Sequence, residues 1–231
     1  MTTEAPPSVR TLTLNTTLAM VGATMATLVL HELSHAIAAI AQGSPARLFP
    51  FASVALRERP VPEQIVEMMT GPVFSLVLGV VLIAVLRPGP RPGFGHLWLS
   101  WLGFTSAMEG IGYLILTPLG VGDTGMSAEL SGLPPALGWV AAALSIGGMV
   151  LLARAYGRRI ARFVPHGDSP RLRGLSFYPW MIGTVVVVAL TLLCSRCPWT
   201  SWGRCSTTCA RPRRQMAGRR GEPAAVIGRR A

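Results

Sequence analysis

Residues 28–40 read LVLHELSHAIAAI, which sets two histidines and a glutamate inside a segment apolar enough to lie in a membrane. Imidazole and carboxylate groups are costly in hydrocarbon, so ionisable residues in membrane spans are rare and usually functional. The apolar segment around this stretch runs from about residue 12 to residue 41, which exceeds the roughly 20 residues that a spanning helix needs. The stretch therefore predicts a first membrane helix that carries a polar site.

The composition of the whole chain also indicates a membrane protein. Of its 231 residues, 50% are hydrophobic and 13% are charged, which is about half the charged share of a soluble domain. The net charge of +11 comes entirely from arginine, because the sequence has no lysine, and nine of the 21 arginines follow Leu193. We interpret the earlier arginines as loop residues next to the lipid bilayer, and we expect no nucleic-acid partner.

Further apolar segments long enough to cross a bilayer follow the first one. They cover residues 63–86, 96–119, 134–155 and 175–194. The sequence therefore predicts an all-α, polytopic protein of the cell membrane with about five transmembrane helices. In this interpretation an N-terminal segment, residues 1–11, precedes a transmembrane domain, residues 12–194.

Residues 48–56, between the first two spans, are apolar but too short to cross the membrane as a helix. Two interpretations stay open for this segment. It is either a re-entrant or interfacial loop, or an apolar connector between the two helices.

The C-terminal segment, residues 195–231, differs sharply from the apolar body. It is rich in arginine and cysteine and has little apolar periodicity, so we predict that it is mostly disordered. The cysteines of the chain are Cys194, Cys197, Cys205 and Cys209. A zinc knuckle is the less favoured interpretation of these cysteines, because their spacing is unusual and Cys194 closes a predicted span.

Residues 31–35 fit the pattern H-E-x-x-H. On a helix, residues four apart share a face, so the imidazoles of His31 and His35 can reach one ion. Zinc suits such a pair, and Glu32 would then lie beside the metal as a base for water. The alternative is a pair of histidines satisfied by neighbouring helices. We favour the metal because this one turn holds two of the four histidines in the chain.

A catalytic zinc needs a third protein ligand, usually His, Asp or Glu. Three acidic residues remain after those of the termini, the arginine-rich loop and the start of the second span are set aside: Glu109, Asp123 and Glu129. The third span returns the chain to the face where the first span ends, and Asp123 follows it directly. Glu109 comes about four turns earlier, roughly 20 Å along the helix axis. Asp123 is therefore the predicted ligand, and an ordinary turn aspartate between Gly122 and Gly125 is the alternative.

These residues resemble the site-2 protease (M50) family of intramembrane zinc metalloproteases. Its second core helix carries a G-x-x-x-[NSG] motif, which residues 71–75 (GPVFS) match. Its third core helix reads close to N-P-x-x-x-D-G, and the aspartate is the third zinc ligand. Pro118 and Asp123 match this motif loosely, with one extra residue between them, while Thr117 and Thr124 replace the asparagine and the glycine.

The resemblance covers residues 20–126 and implies a three-helix metalloprotease-like core within residues 12–126. It also implies a membrane-associated hairpin where the apolar segment 48–56 lies. The implied activity is hydrolysis of a peptide bond in or near the bilayer, in a membrane protein or a membrane-proximal peptide.

The resemblance assigns a role to each site residue. It makes His31, His35 and Asp123 the ligands of Zn²⁺, and it makes Glu32 the catalytic base. Two other classes of function stay open: a non-catalytic scaffold or metal-binding protein with the same fold, and an ion transporter. The transporter is less favoured, because the polar groups cluster at one level and form no trail across the membrane.

Overall fold

The computed structural model describes residues 8–86, 93–165 and 167–195. This part of the chain is mostly helical, as predicted. Its helices and strands are α1 (Val9–Ala41), β1 (Ala46–Phe49), β2 (Ala52–Ala55), α2 (Val61–Val85), α3 (Phe94–Leu116), α4 (Gly122–Leu130), α5 (Pro135–Ala161), α6 (Ser169–Leu175) and α7 (Phe177–Ser195), and a 3₁₀ turn (Thr117–Leu119) links α3 to α4. The predictions for residues 196–231 lie outside the described residues.

Within the described ranges, four helical segments are long and apolar enough to cross a membrane. They are α1, α2, α5 and the segment Ser169–Cys194, which joins α6 and α7. The predicted third span, residues 96–119, forms the 23-residue α3 and the 3₁₀ turn. This helix is not one of the four, because polar residues such as Ser100, Ser106 and Glu109 interrupt its apolar sequence.

The distribution of side chains is the reverse of that in a water-soluble protein. Leu144 and Leu151 on α5 are 67% and 65% exposed, whereas Ser145 and Ser106 are fully buried. Small hydroxyl residues are common at the contacts between membrane helices. A leucine side chain gains no free energy by leaving lipid for the protein interior, because lipid tails are equally apolar. The outward apolar faces and the polar interior thus agree with a bundle made for a lipid environment.

Helix α3 lies at the centre of the bundle, against α1, α2 and α5. Glycines permit this close packing, since a Cβ on Gly79 of α2 would lie 2.3 Å from the backbone nitrogen of Ala107. Across the α1–α3 interface, the hydroxyl of Thr27 hydrogen-bonds those of Thr105 and Ser106 at 2.9 and 3.1 Å. The contacts hold α1 and α2, which carry most of the site, at fixed positions on α3.

The segment that the sequence left open as a re-entrant loop or a connector is an antiparallel hairpin. Strands β1 and β2 pair from Ala46 with Ala55 to Phe49 with Ala52, and both strands pack against α1. The buried ion pair of Arg59 with Glu67 then fastens the chain after the hairpin to the start of α2. The hairpin therefore lies at the end of α1 that follows the two histidines.

The chain turns back on itself after α3. Gly120 and Gly122 adopt left-handed φ values of 66° and 68°, which only glycine adopts readily, and α4 starts at the second of them. The hydroxyl of Thr124 donates to the carbonyl of Tyr113 at 2.6 Å, so the start of α4 lies beside the last turns of α3. The reversal carries Asp123 into the bundle, and not past the end of α3 as the sequence suggested.

Candidate metal centre

His31, His35 and Asp123 meet in the interior of the bundle. The Oδ2 atom of Asp123 lies 3.0 Å from Nε2 of His31 and 3.2 Å from Nε2 of His35. The two Nε2 atoms are 3.1 Å apart, and both imidazoles are buried. Helix α1 supplies the histidines four residues apart on one face, and the reversal after α3 supplies the aspartate. Among the described residues these three form a group that could hold a metal ion.

The other nitrogen of each imidazole is already hydrogen-bonded. Nδ1 of His35 lies 2.7 Å from the carbonyl oxygen of Glu67, and a carbonyl only accepts, so this nitrogen carries the proton. Nδ1 of His31 lies 3.2 Å from Oγ of Ser75, whose hydroxyl donates to Oε2 of Glu109 at 2.9 Å. That hydroxyl must accept from His31, so Nδ1 of His31 is protonated too.

With Nδ1 protonated, each histidine in its neutral form presents a lone pair on Nε2. These lone pairs and the carboxylate oxygen of Asp123 face one another at 3.0–3.2 Å. Three acceptors so close together are stable only around a proton or a cation. The hydrogen bonds to the outer nitrogens orient both rings toward that point, as the outer partners of metal-binding histidines do.

Gly71 of α2 forms the wall of the site nearest to the two Nε2 atoms. A Cβ at this position would lie 2.3 Å from Nε2 of His35 and 2.6 Å from Nε2 of His31. Any other residue would therefore fill the space in front of the lone pairs. Pro72 follows without interrupting α2, so this Gly-Pro pair is a helix-packing feature and not a helix break.

Glu32 lies beside the ligand group. Its half-buried carboxyl group interacts electrostatically with His35, His31 and Asp123. It makes no hydrogen bond to any residue in the described ranges, so it is free to bind water. Its position on α1, next to His31, is the one that the sequence pattern predicts for a base.

Tyr113 of α3 is a site residue that the sequence did not indicate. Its ring stacks on the imidazole of His31, with centroids 4.9 Å apart and planes 10° apart. Its side chain also contacts the carboxylate of Asp123. Tyr113 thus touches two of the three ligand residues and limits the rotation of both.

Glu109 lies at the site, so the expectation of a separation of roughly 20 Å along the helix axis is wrong. Its Oε2 atom is 3.6 Å from Nδ1 of His31. The estimate assumed that Asp123 lies beyond the end of α3, whereas the turn at Gly120 and Gly122 brings it back along the helix. Glu109 faces the outer nitrogen of His31 and is not one of the three converging groups.

A cavity of ≈ 500 Å³ adjoins the site between α2, the 3₁₀ turn, α4 and α5. Thr124 and Gly125, which follow Asp123 directly, line it, and so does Met69, two residues before Gly71. Most of the remaining lining is apolar. The cavity therefore lies beside the segment that carries Asp123, although His31, His35 and Asp123 are not among its lining residues.

Comparisons with known proteins identify no relative. No family model matches the chain, and no curated protein or solved structure matches it.

Proposed function

We propose that this protein is an intramembrane zinc metalloprotease, a divergent relative of the site-2 protease family. The observation that carries the proposal is the convergence of two imidazole nitrogens and one carboxylate oxygen, with both outer imidazole nitrogens already hydrogen-bonded. The His-Glu-Leu-Ser-His sequence on α1 supports it, as does the resemblance of residues 71–75 to the second motif of that family.

The donor set suits zinc. Zn²⁺ binds imidazole nitrogen and carboxylate oxygen at about 2.0–2.2 Å, and tetrahedral angles then place the ligand atoms about 3.3 Å apart. The three atoms of His31, His35 and Asp123 are 3.0, 3.1 and 3.2 Å apart. Gly71 leaves room for an ion in front of them. Three protein ligands leave the fourth position for water or substrate, as in catalytic zinc sites.

The chemistry divides between the ion and the residues of the chain. Bound zinc supplies Lewis acidity, which makes water a stronger acid and polarises a carbonyl group. Glu32 accepts the proton that the attacking water loses and passes it to the nitrogen of the leaving amine. Glu67 and Ser75 hold the two imidazoles in the tautomer that presents Nε2 to the ion.

The cavity beside the site is the proposed place of the substrate. At ≈ 500 Å³ it has room for a few side chains of an extended peptide but not for a helix. A helical substrate hides its amide groups, so it must unwind before a carbonyl can reach the site. The apolar lining suits residues that come from a membrane span, which supports a membrane protein as the substrate.

We place the bundle in the cell membrane, with α3 as a fifth crossing beside the four apolar segments. Helices α1, α2 and α3 would then form the metalloprotease-like core, residues 12–126. The central position of α3 supports this placement, because neighbouring helices shield its polar residues from lipid.

The test of the proposal is the replacement Glu32→Gln. The purified full chain is incubated in detergent with a set of single-span membrane peptides that carry a fluorophore and a quencher at opposite ends. The wild type should cleave at least one peptide, and Glu32→Gln should be slower by about 10²–10⁴-fold, the usual contribution of a general base. The exposed Glu58 offers the matched control, since Glu58→Gln should cleave at the wild-type rate. A Glu32→Gln protein as active as the wild type contradicts the mechanism.

A non-catalytic metal-binding protein is the second candidate, favoured by one feature of α4. Thr124 stands where the family motif has glycine, and its hydroxyl is committed to the carbonyl of Tyr113. This function predicts bound zinc and no cleavage by the wild type. The metal content and the cleavage assay together therefore separate the two candidates.

A further inference from the structure

A second polar pocket lies at the opposite end of the bundle. Ile83 and Leu86 at the end of α2, Ser100 on α3, and Tyr156 and Arg159 near the end of α5 line it. Ile83 follows Gly71 by twelve residues on α2, which is about 18 Å along the axis. The pocket is therefore separate from the candidate metal centre, and the proposed protease mechanism does not use it.

Hydrogen-bond donors without acceptors surround this pocket. Arg159 donates from Nη1 to the carbonyl of Ile83 at 2.6 Å, but its Nε and Nη2 atoms are buried and make no hydrogen bond to any described residue. The hydroxyl oxygens of Ser100 and Tyr156 are also buried and have no partner in the described part of the chain. Their side chains are among the most buried of the described residues, with 6% and 7% exposed.

The positive charge of Arg159 has no counter-charge. No carboxylate in the described ranges pairs with it, and its charged neighbour Arg162 has the same sign. Arg159 as a whole is half-buried, and a partly buried cation without a counter-charge is still costly, the more so in a bundle surrounded by lipid. A water molecule would accept some of these hydrogen bonds but would leave the charge uncompensated. An anion would satisfy the donors and the charge together.

The small volume of the pocket limits how many atoms of the anion can enter it. Its volume of ≈ 10 Å³ holds one oxygen-sized atom, so the ligand presents a single oxygen and keeps its remaining atoms outside. Three more arginines lie exposed on and just beyond the last turns of α5: Arg154, Arg158 and Arg162. Basic pockets at the ends of membrane helices bind anionic lipid headgroups in this way.

We propose that Arg159, Tyr156 and Ser100 form a binding site for an oxyanion, and that its occupant is the phosphate of an anionic phospholipid headgroup. One phosphate oxygen enters the pocket, where Nε and Nη2 of Arg159 and the two hydroxyls are the donors available to it. The lipid thereby fastens α5 to the ends of α2 and α3. Free phosphate has the same chemistry, so the test separates the two sources.

The test is thermal unfolding of the full chain in detergent, with phosphatidylglycerol, phosphatidylcholine or inorganic phosphate added. Phosphatidylglycerol should raise the Tm of the wild type by roughly 5 °C, whereas phosphatidylcholine should not. Arg159→Gln should weaken the apparent affinity for phosphatidylglycerol about tenfold or more, as expected for hydrogen bonds to a charged group. Arg158→Gln is the matched control: it removes the same charge from an exposed neighbour, so it should weaken the affinity much less than Arg159→Gln does.

A second variant tests the site independently in case Arg159→Gln does not fold. Tyr156→Phe keeps the aromatic packing against Phe104 and Trp101 and removes one hydroxyl donor, so it should lower the affinity about threefold. An equal shift with inorganic phosphate, lost in Arg159→Gln, would support the oxyanion site and assign it to the free ion. No shift with either phosphate source, or an equal loss in Arg158→Gln, would overturn the proposal.

Discussion

The two polar pockets of this bundle are chemical opposites. At one end, Nε2 of His31, Nε2 of His35 and Oδ2 of Asp123 converge within 3.0–3.2 Å, and all three are acceptors when the imidazoles are neutral. At the other end, the unshared groups of Arg159 are all donors, and they face two further hydroxyls. Helices α2 and α3 contribute to both pockets, so the chemical character of each pocket comes from a few side chains.

The difference between the pockets shows how a polar group is tolerated inside an apolar bundle. In the first pocket the outer side of each imidazole is satisfied, so only the inner side needs a ligand. In the second, the guanidinium has one partner among the described residues, the carbonyl of Ile83, and two of its nitrogens there have none. We propose that a cation completes one pocket and an anion the other, because leaving a buried polar group unsatisfied costs more free energy than a hydrogen bond gains.

The largest expected effect follows from filling the acceptor pocket. Gly71→Ala places a methyl group within 2.6 Å of both Nε2 atoms, so we expect zinc binding to be lost. The metal content of the purified protein measures this loss. Gly147→Ala in α5 is the control, because a Cβ there meets nothing within 4 Å. A Gly71→Ala protein that retains the zinc content of the wild type would mean that the ion does not lie between these groups.

A smaller effect is expected from Ser75, which touches His31 but not the ion. Ser75→Ala removes the acceptor of the Nδ1 proton, so zinc affinity should fall about 10–100-fold, as for other outer partners of metal ligands. Competition with a zinc-binding dye gives the affinity. Ser145→Ala removes a buried hydroxyl that donates to the carbonyl of Ile111, away from the site, and it should leave the affinity unchanged. Equal affinities in both variants would exclude Ser75 from the site.

The sequence predicted the meeting of His31, His35 and Asp123 better than it predicted their surroundings. The spacing of His31 and His35 already puts both on one helix face, because the helical period is fixed. Asp123 was predicted from the membrane face at which the third span ends. Its position in the structure depends on the left-handed glycines after α3, and the direction of the spans does not reveal that turn. Glu109 was placed too far from the site for the same reason.

The partners of the histidines were harder to predict, for a physical reason. The acceptor for His35 is the backbone carbonyl of Glu67, a group that every residue possesses. Tyr113 reaches His31 because α3 packs on α1. No periodic pattern in the sequence indicates which residues of the two helices meet. Sequence periodicity therefore identifies the face of a helix but not the side chain opposite it.

The smallest effect concerns the independence of the two pockets. Ser100 and Glu109 lie nine positions apart on α3, about 14 Å along the axis, and sites this far apart are usually additive. Arg159→Gln should therefore change zinc affinity by less than about twofold. The same dye competition measures it. A tenfold change would show that the pockets are coupled through α3.

The most direct test of the central claim is the zinc content of the full chain in detergent, for the wild type and for Asp123→Ala. We predict about one zinc ion per chain for the wild type and a large loss for Asp123→Ala, since a catalytic site needs its third protein ligand. Glu129→Ala removes an exposed carboxylate from the same helix and should retain the wild-type content. A wild type without zinc, or an Asp123→Ala protein with the wild-type content, would contradict the account.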